Sequence, residues 1–489
     1  DPLRPVPRRL MLRSSAVAAG LFVAGLAVVG YGVSTESDRS AAAEPAVASG
    51  PAPAAPATPV LSARRVPDLL VRPQAARRLT AELAPLVASA PAQTCLVVAD
   101  GPTTLYAAQP DTPMPAASNQ KLVTALTALD VLGPDATFTT RLAATSAPAG
   151  GVIEGDLWMI GGGDPVIDSD TYQSTLKYGK TPHTRIEDIA DKIVAAGVTQ
   201  VTGSVKGDDR HFDDVRTIPT WPSRYLAQNQ VGPLSALSVN DARTYGVLPG
   251  ASSGTPQPAS DPPAYAADAL TQLLVARGVS VGGPAASGEA PEGLATVVDV
   301  PSLPLRDIVK EMLTFSDNNT AELLLKAVGS ATSNEGTTAA GLKEAQRVLT
   351  EHDIDMNGIV LLDGSGLDTG NRLTCRLLDD VLGTSGPSGP IADGLPVADG
   401  PDGTLRDRFT KSPAAGAVRA KTGTLKAVTA LSGWVTTTKG ADVRFSTILN
   451  PSGRDVSASD LAFETKVAEA ILSYPDAVDP ASVSPEASA

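Results

Sequence analysis

The segment PMPAASNQKLVTALTALDVL, which begins at Pro113, places Ser118 three residues before Lys121 and follows both with apolar residues at helical spacing. At i and i+3 on one helix face, a hydroxyl and an amine can meet. A hydroxyl is a weak nucleophile until a neighbour takes its proton, and a lysine can do so only if its pKa falls well below about 10.4. Burial favours the neutral amine, and so does a second ammonium nearby. Taken alone the pair is ambiguous, because serine at a helix start with lysine one turn later is ordinary capping grammar. Two further clusters bear on it. FSDNNTAELL holds Ser316, Asp317 and Asn318 at the start of a helical pattern, and RAKTGTL holds Lys421, Thr422, Gly423 and Thr424 in a strand-like run. Each has its own plain reading, as a helix cap and as a polar strand end.

Together and in this order, the three clusters resemble the signature of penicillin-binding proteins and class A β-lactamases. The resemblance is to the D-alanyl-D-alanine carboxypeptidases and endopeptidases of the low-molecular-mass, class C penicillin-binding type, peptidase family S13. It extends through GDLWMIGGGDP, GDDRHFDD, SALSVNDAR, LLDGSGLDTGNRL and AAGAVRAKTGTL, from about Val66 to Pro475. The long interval between Lys121 and Ser316 is similar to that of this family, which places accessory domains there, and longer than that of a class A β-lactamase.

The resemblance implies Ser118 as the acylated nucleophile and Lys121 as its base. It implies Ser316 as a proton relay to the leaving amine and Asn318 as a support for the acyl-side peptide group. Lys421 would supply positive potential and keep Lys121 neutral, Thr422 and Thr424 would bind the substrate carboxylate, and the backbone N–H groups of Ser118 and Thr424 would form an oxyanion hole. Gly423 is read as keeping bulk away from substrate lying along the strand edge. Asp363, Gly364, Ser365 and Gly366 form a family-like loop whose glycines read as turn makers, with no chemical step assigned. The implied reaction is two-step acyl transfer on peptidoglycan stem peptides ending in D-Ala-D-Ala. β-Lactams would be covalent inhibitors, and no cofactor is called for. The alternatives are a serine β-lactamase-like hydrolase, which would turn over a penicillin label rapidly, and a non-catalytic cell-wall-binding protein, which would neither be labelled nor release D-alanine.

The elements that must position these groups can be read from periodicity. A helical pattern from Val71, a buried strand over Thr94–Asp100 and a second strand in TTLYAAQ lead directly into the Ser118 helix. Helical patterns return from Leu303, Asn319 and Thr337. Three alternating segments, GAVRAKTG, KAVTALSGWVTT and DVRFSTILN, then precede a last helix from Ala458. This order predicts a mixed α/β fold with helices flanking an antiparallel sheet, penicillin-binding/β-lactamase-like by the resemblance. The catalytic domain is expected at 66–135 and 300–475, interrupted at 136–299 by an inserted accessory region of short strands and glycine-rich turns, read as a self-contained α/β module. Within it, GGGDP from Gly161 lacks the lysine and hydroxyl of a phosphate loop and reads as a tight turn.

The 489-residue chain is long enough for a large core and two or more domains. Its 39 basic against 53 acidic side chains argue against nucleic-acid binding, which needs a positive surface. Arg8, Arg9 and Arg13 precede an uncharged run from Ser14 to Ser34, so residues 1–40 read as a signal peptide or membrane anchor. An Ala/Pro-rich linker follows at 41–65, and 476–489 reads as a disordered tail. The expectation is export, with the protein in the cell-wall or periplasmic space, anchored or secreted. An exported protein could join Cys95 to Cys375, and two separate buried thiols is the other reading. His183, His211 and His352 have no ligand-like spacing, so no metal site is predicted.

Overall fold

The computed structural model describes residues 67–251 and 254–475; the predicted export segment within 1–40, the 41–65 linker and the 476–489 tail lie outside them. The central sheet has five antiparallel strands in the order Val418–Leu425, Val428–Thr436, Asp442–Leu449, Thr94–Asp100 and Thr103–Ala108. Chain-distant segments therefore share one sheet, with Thr94 opposite Leu449 and Ala99 opposite Arg444. Because side chains alternate across a strand, each strand feeds two cores. Leu96 and Val98 pack with Leu83, Phe445, Val467 and Ile471 beneath the helices Pro67–Ser89 and Ala458–Leu472. Cys95 and Val97 face the other way, toward Leu122, Leu126, Leu324 and Leu378 of the helices Gln120–Leu132, Asn318–Ser333 and Cys375–Ser385. Covering on both faces explains why Thr94–Ala99 is buried without a break.

A second five-stranded sheet, of mixed direction, has the order Ala286–Ser287, Val205–Asp208, Leu157–Ile160, Thr139–Ala144 and Ala295–Pro301. It packs its own core against the helices Ile186–Ala195 and Pro262–Ala276, with Leu142, Met159, Ile189, Ile193, Leu270 and Leu274 fully buried. The inserted region is less self-contained than its sequence texture suggests. Phe212, Ile218, Trp221, Tyr225, Val231 and Leu234 leave this sheet and join the core around the Ser118 helix. They do so because apolar residues spaced through an irregular loop can be buried only on a neighbouring element. Cys95 and Cys375 are joined in a disulfide between the central sheet and the helix Cys375–Ser385, settling the alternative left open above.

Candidate active site

Ser118 lies in a single 3-10 turn, Ala117–Asn119, that runs directly into the helix Gln120–Leu132. Leu122, Val123 and Leu126 bury one stripe of that helix, and Gly133 ends it at φ +84 with its N–H on Leu129 O. Ala117 is held at φ +47, a left-handed conformation that costs a residue with a Cβ about 1–2 kcal/mol. Two glycines hem in the turn. A Cβ on Gly366 would sit 2.0 Å from Ala117 O, and one on Gly423 would sit 2.7 Å from Ala116 O and 3.1 Å from the Ser118 backbone nitrogen. The close approach of its strand to the Ser118 turn is a reason of its own for glycine at 423, beside the room for substrate expected from sequence.

Lys121 is fully buried, and its Nζ donates to three oxygens: Ser118 Oγ at 3.1 Å, Asn318 Oδ1 at 2.6 Å and the Ser365 carbonyl at 2.9 Å. The Asn318 amide orientation is fixed at its other end, where Nδ2 donates to the Gln230 carbonyl at 2.5 Å. Asn318 Oδ1 and a carbonyl can only accept. A neutral Lys121 therefore spends its two N–H groups on them and presents its lone pair to the Ser118 hydroxyl.

Burial lowers the Lys121 pKa to about 8, against the opposing pull of Asp317, Glu322, Asp363 and Glu311. Lys421, equally buried, is pushed well below the ordinary lysine value, by burial and then by the Lys121 charge. Each of these buried ammoniums disfavours the other's charge, and the acidic groups cluster about Lys121.

The loop Asp363–Gly366 does more than turn. Besides the Ser365 carbonyl on Lys121, Gly364 O accepts from Thr124 Oγ1 at 2.7 Å and Asp363 O from Gln120 Nε2 at 3.2 Å, so the loop is tied to the Ser118 helix. Glu322, which the sequence reading passed over, accepts the Gly364 and Ser365 N–H groups from beneath. Burial, then the Asp363 charge, raises its pKa to about 8. The available signal was an acidic residue in the apolar helix pattern NTAELLLK.

Ser316 and Asp317 form a junction between helices. Ser316 ends Leu305–Phe315 at φ +65, and Asp317 caps Asn318–Ser333 by accepting from the Thr320 N–H at 2.7 Å. Among the described residues no hydrogen bond joins Ser316 to Ser118, Lys121 or Lys421. Lys421 Nζ donates to Thr422 O at 3.0 Å, the Thr422 hydroxyl donates to Thr404 Oγ1 at 2.8 Å, and Thr424 is exposed. Thr404 has no sequence signal that singles it out. A cavity of about 650 Å³ opens beside Ser316 and Asn318, lined also by Tyr172, Lys177, Asp241 and Arg243. A second, of about 940 Å³, runs past Thr424 and Lys426 with Arg224 and Arg372.

A hydroxyl held against a buried amine, on a helix packed on an antiparallel sheet, defines a serine-type enzyme of the penicillin-binding fold. The fold is similar to that of penicillin binding protein 4 from Haemophilus influenzae, with a TM-score of 0.65 over 82% of this chain and 99% of that one at 20% identity. Residues 80–258 and 246–467 match the model of the D-Ala-D-Ala carboxypeptidase 3 (S13) family, and the chain belongs to that family. A D-alanyl-D-alanine carboxypeptidase of an Actinomadura species is 31% identical over 412 residues, 68% of this chain and 73% of the relative. Carboxypeptidase DacB of Mycolicibacterium smegmatis is 32% identical over 354 residues, 70% of this chain and 72% of the relative.

Proposed function

We propose that this enzyme cleaves the terminal D-Ala-D-Ala bond of peptidoglycan stem peptides through an acyl-enzyme on Ser118. The observation that carries the reading is the Lys121 amine, buried, 3.1 Å from Ser118 Oγ and held by two groups that can only accept. Neutral Lys121 takes the hydroxyl proton as Ser118 Oγ attacks the carbonyl carbon. The developing oxyanion is received by the backbone N–H groups of Ser118 and Thr424, where one lost donor costs about 3 kcal/mol. The proton passes by way of Ser316 to the departing D-alanine amine, and water then repeats the cycle on the ester.

Asn318 supports the acyl-side peptide, and Thr422 and Thr424 bind the terminal carboxylate. That carboxylate, arriving beside Lys421, favours its charged form, and the new charge in turn repels the proton from Lys121. Substrate binding then switches on the base. Cavities at Ser316 and at Thr424 give room on both sides of the scissile bond, which supports action on cross-linked peptides as well as on free pentapeptides. A relative in fold, penicillin binding protein 4 of H. influenzae, was crystallised with a β-lactam, and we expect Ser118 to be acylated likewise. The location we propose is outside the cytoplasmic membrane, facing peptidoglycan, with the basic and apolar residues of 1–40 as signal or anchor.

The test is intact-mass and peptide mapping after treatment with a penicillin, alongside D-alanine release from a pentapeptide. The adduct should map to Ser118, and Ser118→Ala should abolish both adduct and release. Release that survives the substitution would overturn the proposal.

A further inference from the structure

The two groups that orient the Lys121 amine are each anchored from outside the catalytic motifs, and by the same stretch of chain. Asn318 is held through its Nδ2 on the Gln230 carbonyl at 2.5 Å, and its neighbour Asn319 accepts the Gly232 N–H at 2.6 Å. Gly232 has no room to be anything else, since a Cβ there would lie 1.7 Å from Asp241 O. The Ser365 carbonyl belongs to a loop organised around the Asp363 carboxylate, which accepts from Gly366 N, Asp368 N and Asn371 Nδ2. Its fourth donor is the Trp221 indole N–H at 2.9 Å. Tyr225 fastens the same loop by donating its hydroxyl to Leu367 O at 3.1 Å, and Thr220 by donating to the Asp368 carboxylate. Trp221, Tyr225 and Val231 are buried in the catalytic core although the segment lies in the inserted region.

We infer that Thr220–Gly232 is a positioning element for the acylation step, which sets the aim of Lys121 by fixing both of its acceptors. The inference rests on the reading of Lys121 as the base. Its physical content is that a lone pair is useful only when the two competing N–H directions are occupied, and displacement of about 1 Å in such a group costs up to about a hundredfold in rate. The charged groups that face Lys121 are Asp317 and Glu322 at the Asn318 helix, Asp363 on the loop, Glu311 on the preceding helix and Lys421 on the strand. Of these, Asp363 alone receives its donor from the inserted segment. Without the indole N–H the buried Asp363 carboxylate holds a proton more readily. The charge on Asp363 acts on both Lys121 and Glu322, so loss of the indole N–H alters the pH dependence of the base as well as its aim.

The experiment uses the full chain and acylation by a fluorescent penicillin, measured against penicillin concentration and against pH. Trp221→Phe keeps most of the ring volume and removes the N–H. It is expected to lower the limiting acylation rate about tenfold, leave the half-saturating concentration unchanged, and displace the rising limb of the pH profile. Wild-type values throughout, or a lower rate with an unmoved pH limb, would mean that the indole only fills space and would overturn the inference. Tyr225→Phe is the second variant and decides the matter if Trp221→Phe does not fold. A fall confined to the limiting rate supports positioning, whereas no fall, or an equal loss in binding, overturns it. Failure of wild-type Ser118 to be labelled would instead defeat the proposed function, so the two failures are distinguishable.

Discussion

Lys121 is a fully buried amine with acidic groups clustered about it, and its behaviour follows from the balance of burial and charge. Burial disfavours the charge and outweighs the four carboxylates, leaving the group at about 8. The active form is the neutral one, present above that value and lost as pH falls through it. The second-order rate constant for acylation at low penicillin concentration, which reports the unliganded protein, should therefore rise with pH across about 7 to 9 and level off above, and a flat profile there would remove Lys121 as the base. Lys121→Ala should slow acylation by at least about a hundredfold while the protein remains folded. The reason is that an alanine leaves Asn318 Oδ1 and the Ser365 carbonyl reachable by a water in the vacated space, as checked by circular dichroism beside the labelling rate.

At the scale of elements, the site is a turn gripped by three others. The strand Val418–Leu425, the loop Asp363–Gly366 and the helix Asn318–Ser333 each touch Ser118 or Lys121, the strand doing so at Gly423, while Gly366 of the loop closes on Ala117 of the same turn. Gly423→Ala should push the strand away from the Ser118 turn, because the nearest atom a Cβ would meet is the Ala116 backbone carbonyl oxygen, at 2.7 Å, with Asn119 Nδ2 and the Ser118 backbone nitrogen behind it. A loss of about ten- to a hundredfold in acylation with little change in thermal stability is expected; an unaffected rate would show that the approach is looser than its geometry. The strands and helices were largely legible beforehand, down to Thr94–Asp100, because alternation and helical period are local properties. Ser316 was legible as a motif but not as the end of the preceding helix, since its left-handed conformation has no glycine to announce it. The work of Glu322 and of the Asp363 loop was not legible either. Each acts through partners distant in the chain, as in the separation of 244 residues between Lys121 and Ser365.

At the scale of the molecule, the central sheet joins the two ends of the catalytic region, and the disulfide repeats that closure covalently. Cys95 and Cys375 are fully buried and separated by 280 residues. On the chain-entropy account, replacing both by alanine should cost about 5 to 6 kcal/mol for a loop of this length. Urea unfolding of the double variant measures this, and an unchanged midpoint would show that the bridge contributes nothing to stability. The sequence by itself determined which functional groups are available and the local elements that carry them, because residue identity and periodicity are properties of short segments. Only the tertiary structure decided the direction in which Lys121 and Lys421 titrate, the close approach at Gly423, the pairing of the cysteines and the reach of the inserted segment into the catalytic core. Burial, neighbouring charge and backbone approach are created when remote segments meet, and no window of sequence contains them.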